Sequence, residues 1–224
     1  MANFRFTSAA KNNIARALLG ATVLGSVFGV HMTSAGAAEK QPIDTTTVSD
    51  HAERSRETRV TATAAQVLAL AKSQIGISEN AAGGGTKFQQ WYANSQRAAE
   101  TVARDGGSRT EYLNAAWCAM FVSWVGEHTG ARAQIGWDSW TVAHAKWFQA
   151  NDRFGTEPKP GAIVFFSWSG SKNLKDIKHV GFVEKDNGDG TITTVEGNTG
   201  RGKVEERVRP KSQVVGYGYP QYRG

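Results

Sequence analysis

The apolar positions change period roughly two-thirds of the way along the chain. Thr63-Ala64-Ala65-Gln66 has the form of a capping box, and Val67, Leu68, Ala71 and Ile75 follow at helical spacing. That pattern predicts a first helix closed by Gly76. Residues 77–94 read as a Gly-rich loop followed by an aromatic turn. Gly83, Gly84 and Gly85 are not followed by Gly-Lys-Ser/Thr at the spacing of a phosphate cradle, so they predict loop geometry alone. A second helix is predicted over 114–127, with Phe121, Val122, Trp124 and Val125 inward and Gly130 as its stop. A third is predicted around 142–149, carrying Ala143, Trp147 and Phe148. Beyond Pro158 and Pro160 the helical period disappears. Residues 162–166, 180–183, 191–195, 204–208 and 214–219 are short β-branched or aromatic runs separated by Gly, Asn, Asp and Pro. Helices first and an antiparallel sheet second make the fold class α+β rather than alternating α/β.

Composition narrows the chemistry. At 224 residues, 40% apolar and 10% aromatic, the chain suffices for one core plus an appendage. A single cysteine excludes a disulfide scaffold, an iron–sulfur centre and a multi-cysteine zinc site. The formal charge of +6 allows an anionic partner without selecting nucleic acid among polyanions.

Part of that charge belongs to the amino terminus. Arg5, Lys11 and Arg16 precede an apolar run over 17–30, and Ser34-Ala35-Gly36-Ala37-Ala38 offers small residues for cleavage. Residues 1–38 therefore read as a secretory signal. An uncleaved membrane anchor is the alternative, disfavoured because the run is short and ends in small residues instead of a basic stop. Cleavage lowers the formal charge to about +3. Residues 39–62 are polar and Thr-rich and read as a linker. The domain is expected over 63–224.

Cys118 stands at the start of the second predicted helix, where unsatisfied N–H groups and the helix dipole favour thiolate over thiol. A thiolate attacks an amide when a partner protonates the leaving amine. A small buried apolar residue beside Trp117 and Phe121 is the competing reading. Among the histidines, His31 belongs to the signal and His51 to the linker. His128 lies ten residues along the helix of Cys118, roughly 15 Å away at the helical rise. His144 on the next helix stays open as a base. His179 is favoured because it opens a strand on which Val180 and Phe182 take the opposite face.

The third member depends on a hairpin. Asp186-Asn187-Gly188-Asp189-Gly190 is a dense turn signal and lacks the ligand pattern of a calcium loop. If Asn187 and Gly188 are the central turn residues, His179 faces Glu196. A four-residue loop puts Asn198 opposite instead. Either acceptor would orient the imidazole, and a solvated strand-end charge is the other reading of Glu196.

In this order, Trp117-Cys118-Ala119-Met120-Phe121, Pro158-Lys159-Pro160-Gly161, His179-Val180-Gly181-Phe182-Val183 and Glu196-Gly197-Asn198 resemble the CHAP domain family. These are cysteine, histidine-dependent amidohydrolases and peptidases, a papain-like group acting on peptidoglycan. The likeness extends to Thr86-Lys87-Phe88, Trp91-Tyr92 and Gly216-Tyr217-Gly218. It implies Cys118 as nucleophile, His179 as base then acid, Glu196 as orienting carboxylate and Asn198 as a fourth polar site residue. It also implies helices packed on the sheet that presents the histidine. The implied protein is a secreted, monomeric peptidoglycan hydrolase without cofactor or metal, bound neither to nucleic acid nor stably to a membrane. A non-catalytic wall-binding module on the same fold is the alternative. Ala162 stands where the family often has Asp, and the charged segment 94–112 does not align with the family's pattern and is expected to shape the substrate cleft. Trp137, Trp140, Trp147 and Trp168 are read as core or as the lining of a glycan groove.

Overall fold

The computed structural model describes residues 60–224. The expected signal and nearly all of the expected linker lie outside the described residues. Helix α1 (Ala64–Lys72) carries the capping box read from the sequence: Gln66 N donates to Thr63 Oγ1 at 3.2 Å, and Thr63 N to Gln66 Oε1 at 2.9 Å. It ends a turn earlier than expected, leaving Ile75 exposed.

The segment expected as loop and aromatic turn contains a helix, α2 (Lys87–Asn94), started by a second capping box from Thr86 and Gln89. Gln89 also donates to the carbonyls of Gly83 (2.9 Å) and Ala115 (3.0 Å), tying the Gly-rich loop to the approach to Cys118. The charged segment 94–112 forms α3 (Gln96–Asp105), capped by Ser95, and leads into a 3₁₀ turn (Arg109–Asn114). Arg97 and Arg104 of α3 grip buried Asp138 at 2.8 and 3.1 Å, which anchors α3 to the loop before the third predicted helix.

Helix α4 (Cys118–His128) is buried from Cys118 to Gly126. Its start lies later than the expected residue 114 because the 3₁₀ turn and an extended Ala115 intervene. Trp117 occupies the N-cap without a side-chain cap bond. Packing holds this end in place: Trp117 is fully buried, stacks on Phe88 with ring centres 5.4 Å apart, and donates Nε1 to Glu79 at 2.8 Å. A buried aromatic contributes roughly 1.5–3 kcal/mol and a side-chain cap about 1 kcal/mol. Packing therefore outweighs the missing cap. The single turn α5 (Arg132–Ile135) and helix α6 (Thr141–Ala150) complete the helical part.

The strands are β1 (Phe154–Gly155), β2 (Ile163–Phe166), β3 (His179–Asp186), β4 (Thr191–Thr199), β5 (Lys203–Pro210) and β6 (Val214–Gly218). They form one antiparallel sheet in the order β1-β6-β2-β3-β4-β5, as the α+β class requires; only the two-residue β1 is new. Alternation divides the side chains into two apolar layers. Phe165, Val180, Phe182 and Val195 pack with the helices, and Phe121 of α4 meets Phe182 edge to face at 6.0 Å. Ala162, Val164, Phe166, Val183 and Ile192 form the second layer, so the position where the family often has Asp is here a buried apolar residue. Gly197 sits where α4 crosses β4. A Cβ there would come within 2.6 Å of Phe121 and 2.9 Å of Trp117, so this close approach requires glycine.

Candidate active site

Cys118 is the first residue of α4, buried, with the helix N–H groups of the first turn around it. His179 opens β3 opposite Phe166, on the strand face opposite Val180 and Phe182, as the alternation predicts. It is buried under aromatic cover rather than open to solvent. The Trp168 ring centre lies 5.4 Å from the imidazole and that of Phe166 6.0 Å away.

The structure brings Cys118, His179 and Glu196 together. His179 Nε2 and Glu196 Oε2 are 2.9 Å apart, and the carboxylate is completely buried. Burial works against a charged imidazole, but interaction with Cys118 and then with Glu196 overrides it and raises the His179 pKa to about 9. Burial would likewise raise the Glu196 carboxyl. Arg209, His179 and Thr194 hold it well below the ordinary carboxylate range instead.

The hairpin register differs from the one that pairs His179 with Glu196. An irregularity between Val183 and Lys185 shifts the strands by one residue, and beyond it Phe182 faces Val195. Continued to the strand ends, this register sets Gly181 against Glu196 and His179 against Asn198. Glu196 nevertheless makes the bond, reaching diagonally across the space left by glycine. A Cβ on Gly181 would stand 2.8 Å from Glu196 Cγ. Asn198, which the resemblance made a fourth site residue, sits at the end of β4 with φ +54, a left-handed conformation that Asn tolerates. Among the described residues its side chain is hydrogen-bonded neither to His179 nor to Glu196.

The other histidines are accounted for. His128 lies at the far end of α4, bonded to the Trp124 carbonyl at 2.8 Å and stacked on the Trp124 ring at 4.0 Å. His144 is fully buried against Phe148 and Phe165 and bonds the Ile135 carbonyl through Nε2 at 2.6 Å. Burial depresses its pKa, with the Ile135 carbonyl working the other way, which describes a neutral core histidine. Of the four tryptophans, Trp168 (45% exposed) lies over His179, and Trp140 (53% exposed) opens α6. Trp137 and Trp147 are partly covered by Arg132 and Arg153.

Sequence reasoning missed Arg209 on β5. Its Nε donates to Glu196 Oε1 at 2.9 Å and its Nη2 to Oε2 at 2.6 Å, a two-pronged grip on the carboxylate that orients His179. Thr194 Oγ1 adds a bond to Oε1 at 2.6 Å. Alternating strand chemistry in β5 gives Arg207 and Arg209 the same local signature, so no motif could have chosen between them.

A thiol at a helix start, beside an imidazole whose cationic form a buried carboxylate favours, is an arrangement suited to covalent acyl transfer. Residues 110–198 match the family model described as the CHAP domain. That stretch holds Cys118, His179, Glu196 and Asn198, and it ends before Arg209. No curated protein matches the chain.

Proposed function

We propose that this chain, whose residues 110–198 match the CHAP-domain family model, is an exported cysteine hydrolase cleaving an amide bond of peptidoglycan. The family supplies the coarse class, an amidohydrolase or peptidase of the cell wall. The observation that carries the finer reading is the buried 2.9 Å His179–Glu196 pair facing the sulfur at the start of α4.

In this reading Cys118 attacks as the thiolate, its proton held on His179: the sulfur bonds to the amide carbonyl carbon, and the C=O electron pair moves to oxygen. Backbone N–H groups at the start of α4 receive that oxyanion. On collapse the C–N bond breaks and His179 gives its proton to the departing amine, leaving a thioester. Water then attacks the thioester carbonyl and loses a proton to His179; the acyl group leaves as a carboxylic acid and the sulfur is released. Glu196 supports the imidazolium and holds the ring orientation throughout. Trp168 borders the histidine and is exposed enough to meet substrate.

Mass spectrometry of muropeptides after digestion of purified sacculi tests the reaction class and identifies the bond. New peptide amines without new reducing sugar ends are expected. A free stem amine on L-alanine would identify an N-acetylmuramoyl-L-alanine amidase, and amines within the stem or cross-bridge an endopeptidase. New reducing ends would overturn amide hydrolysis altogether. Wall binding without any cleavage would favour the non-catalytic module.

Export follows from the same proposal and from the basic, apolar, small-residue order of residues 1–38. The released protein is expected to begin at Ala38 or Glu39 by amino-terminal sequencing. Full-length chain retaining Met1 in the membrane fraction would sink the signal-peptide reading.

A further inference from the structure

Glu196 is completely buried, and its partners among the described residues can be named. Oε1 accepts from Arg209 Nε and Thr194 Oγ1; Oε2 accepts from Arg209 Nη2 and meets His179 Nε2. A fully buried carboxylate facing only a histidine has two ways to share one proton: an ion pair, or a neutral acid beside a neutral imidazole. The dry surroundings favour the neutral pair, since removing two charges from water is costly. A guanidinium changes that balance because it cannot lose its proton and binds both carboxylate oxygens in one plane.

Resting on the proposed acid–base role of His179, we infer that Arg209 is a positioning residue which keeps Glu196 ionised and correctly turned, and thereby keeps His179 a cation facing Cys118. Its placement suits the task. Arg209 comes from the outer strand β5, is only 16% exposed at the side chain, and is held again by Thr199 Oγ1 at 2.9 Å. The Trp168 ring centre lies 5.1 Å from the guanidinium carbon and 5.4 Å from the His179 ring centre, so one indole covers both cations. The ionisable groups acting on this unit are Cys118 from α4, His179 from β3, Glu196 from β4, and Arg209 with Glu205 from β5. Charges alternate along the line from guanidinium to carboxylate to imidazolium, and the imidazole faces the sulfur. Since residues 110–198 stop short of Arg209, the family match does not assign it this role.

The test reads His179 directly, by NMR titration of ring-labelled histidine in the full chain without substrate, alongside kcat and KM on sacculi. Arg209→Gln is expected to lower the His179 midpoint at least tenfold in proton affinity. It should also reduce kcat by up to the roughly 10²–10⁴-fold that acid–base catalysis supplies, with KM little changed. Arg209→Lys keeps the charge and loses the fork, so it should hold the midpoint near that of wild type while kcat falls less. An unmoved or raised midpoint in folded Arg209→Gln would overturn the inference. Should the Gln variant fail to fold, Arg209→Lys decides: a retained midpoint with reduced kcat supports the fork, and unchanged kcat overturns it. Wild type inert on sacculi, with the midpoint still falling in Arg209→Gln, would remove the proposed reaction while leaving the electrostatic coupling in place.

Discussion

Cys118→Ser is expected to abolish wall lysis without unfolding the protein. The substitution is nearly isosteric at a site where the side chain is already buried at the first turn of α4. The hydroxyl keeps the packing but does not ionise in the range where a thiol does, so the nucleophile is lost while the oxyanion donors remain. Residual lysis should fall by several orders of magnitude, to the level that binding and the helix N–H groups sustain alone. Turbidity loss of sacculi and circular dichroism of the same preparation check both halves. Iodoacetamide labelling of wild type across pH separates the two readings of the cysteine: reaction well below pH ~8.5 marks an activated thiol, and near-inertness marks a core residue. Full lysis by the serine variant would remove the cysteine mechanism.

His179→Ala should cost at least about a thousandfold in kcat/KM, because the same ring both assists the thiol and protonates the leaving amine. His144→Ala should leave the chemistry of folded enzyme nearly intact and lower stability, since that ring is buried and, among the described residues, bonds the Ile135 carbonyl alone. Equal damage from the two would reassign the base. The sequence alone suggests an intermediate effect for Glu196→Gln, but the structure makes it harsher. An amide there leaves the mostly buried Arg209 charge uncompensated, a defect on the order of 3–5 kcal/mol in stability, and removes the support of the imidazolium.

The pH dependence follows from the raised His179 value of about 9. Activity that needs the imidazolium should decline as pH rises through about 9, and a kcat/KM profile on sacculi would show that limb. Stability has the same sign. The native state holds the proton more tightly than the unfolded chain, so the contribution is complete below about pH 6.5 and is lost as pH climbs through about 9. Glu196 acts in the opposite range, its contribution being present above ~4.5 and lost as pH falls through its depressed native value. Glu196→Gln should move the alkaline limb of activity downward, and an unmoved limb in a folded variant would separate Glu196 from the charge of His179.

What the sequence made legible was local. The cap at Thr63, the placement of Cys118 at a helix start and the outward face of His179 all follow from period and turn chemistry. The Thr86–Gln89 box had the same signature as the one at Thr63, but the neighbouring glycines concealed α2. Helix α3 carries no large apolar side chain except Val102 to announce it, and much of its tertiary attachment is ionic, through Arg97 and Arg104 to Asp138. Counting back from the turn left two registers open; the structure has the one that sets His179 against Asn198 on the site side of the irregularity near Val183, while the strands next to the turn are offset by one residue. The grip of Arg209 on Glu196 depends on a third strand and was beyond any reading of the hairpin alone.

The N-cap of α4 shows a trade between durability and reactivity. Thr63, Thr86 and Ser95 each lend a hydroxyl to the first turn of the helix they open, whereas Trp117 lends none to α4. The helix thereby forgoes about 1 kcal/mol of capping, and its leading N–H groups stay available for the negative oxygen that the proposed reaction generates. A thermostability redesign that scored residue 117 by helix rules alone would select Ser or Asp. Either would point an oxygen at those same donors and occupy the place of the transition-state charge, besides emptying the Trp117 position in the core. The weakest-capped end of the central helix is thus a position where consensus stabilisation and turnover pull in opposite directions.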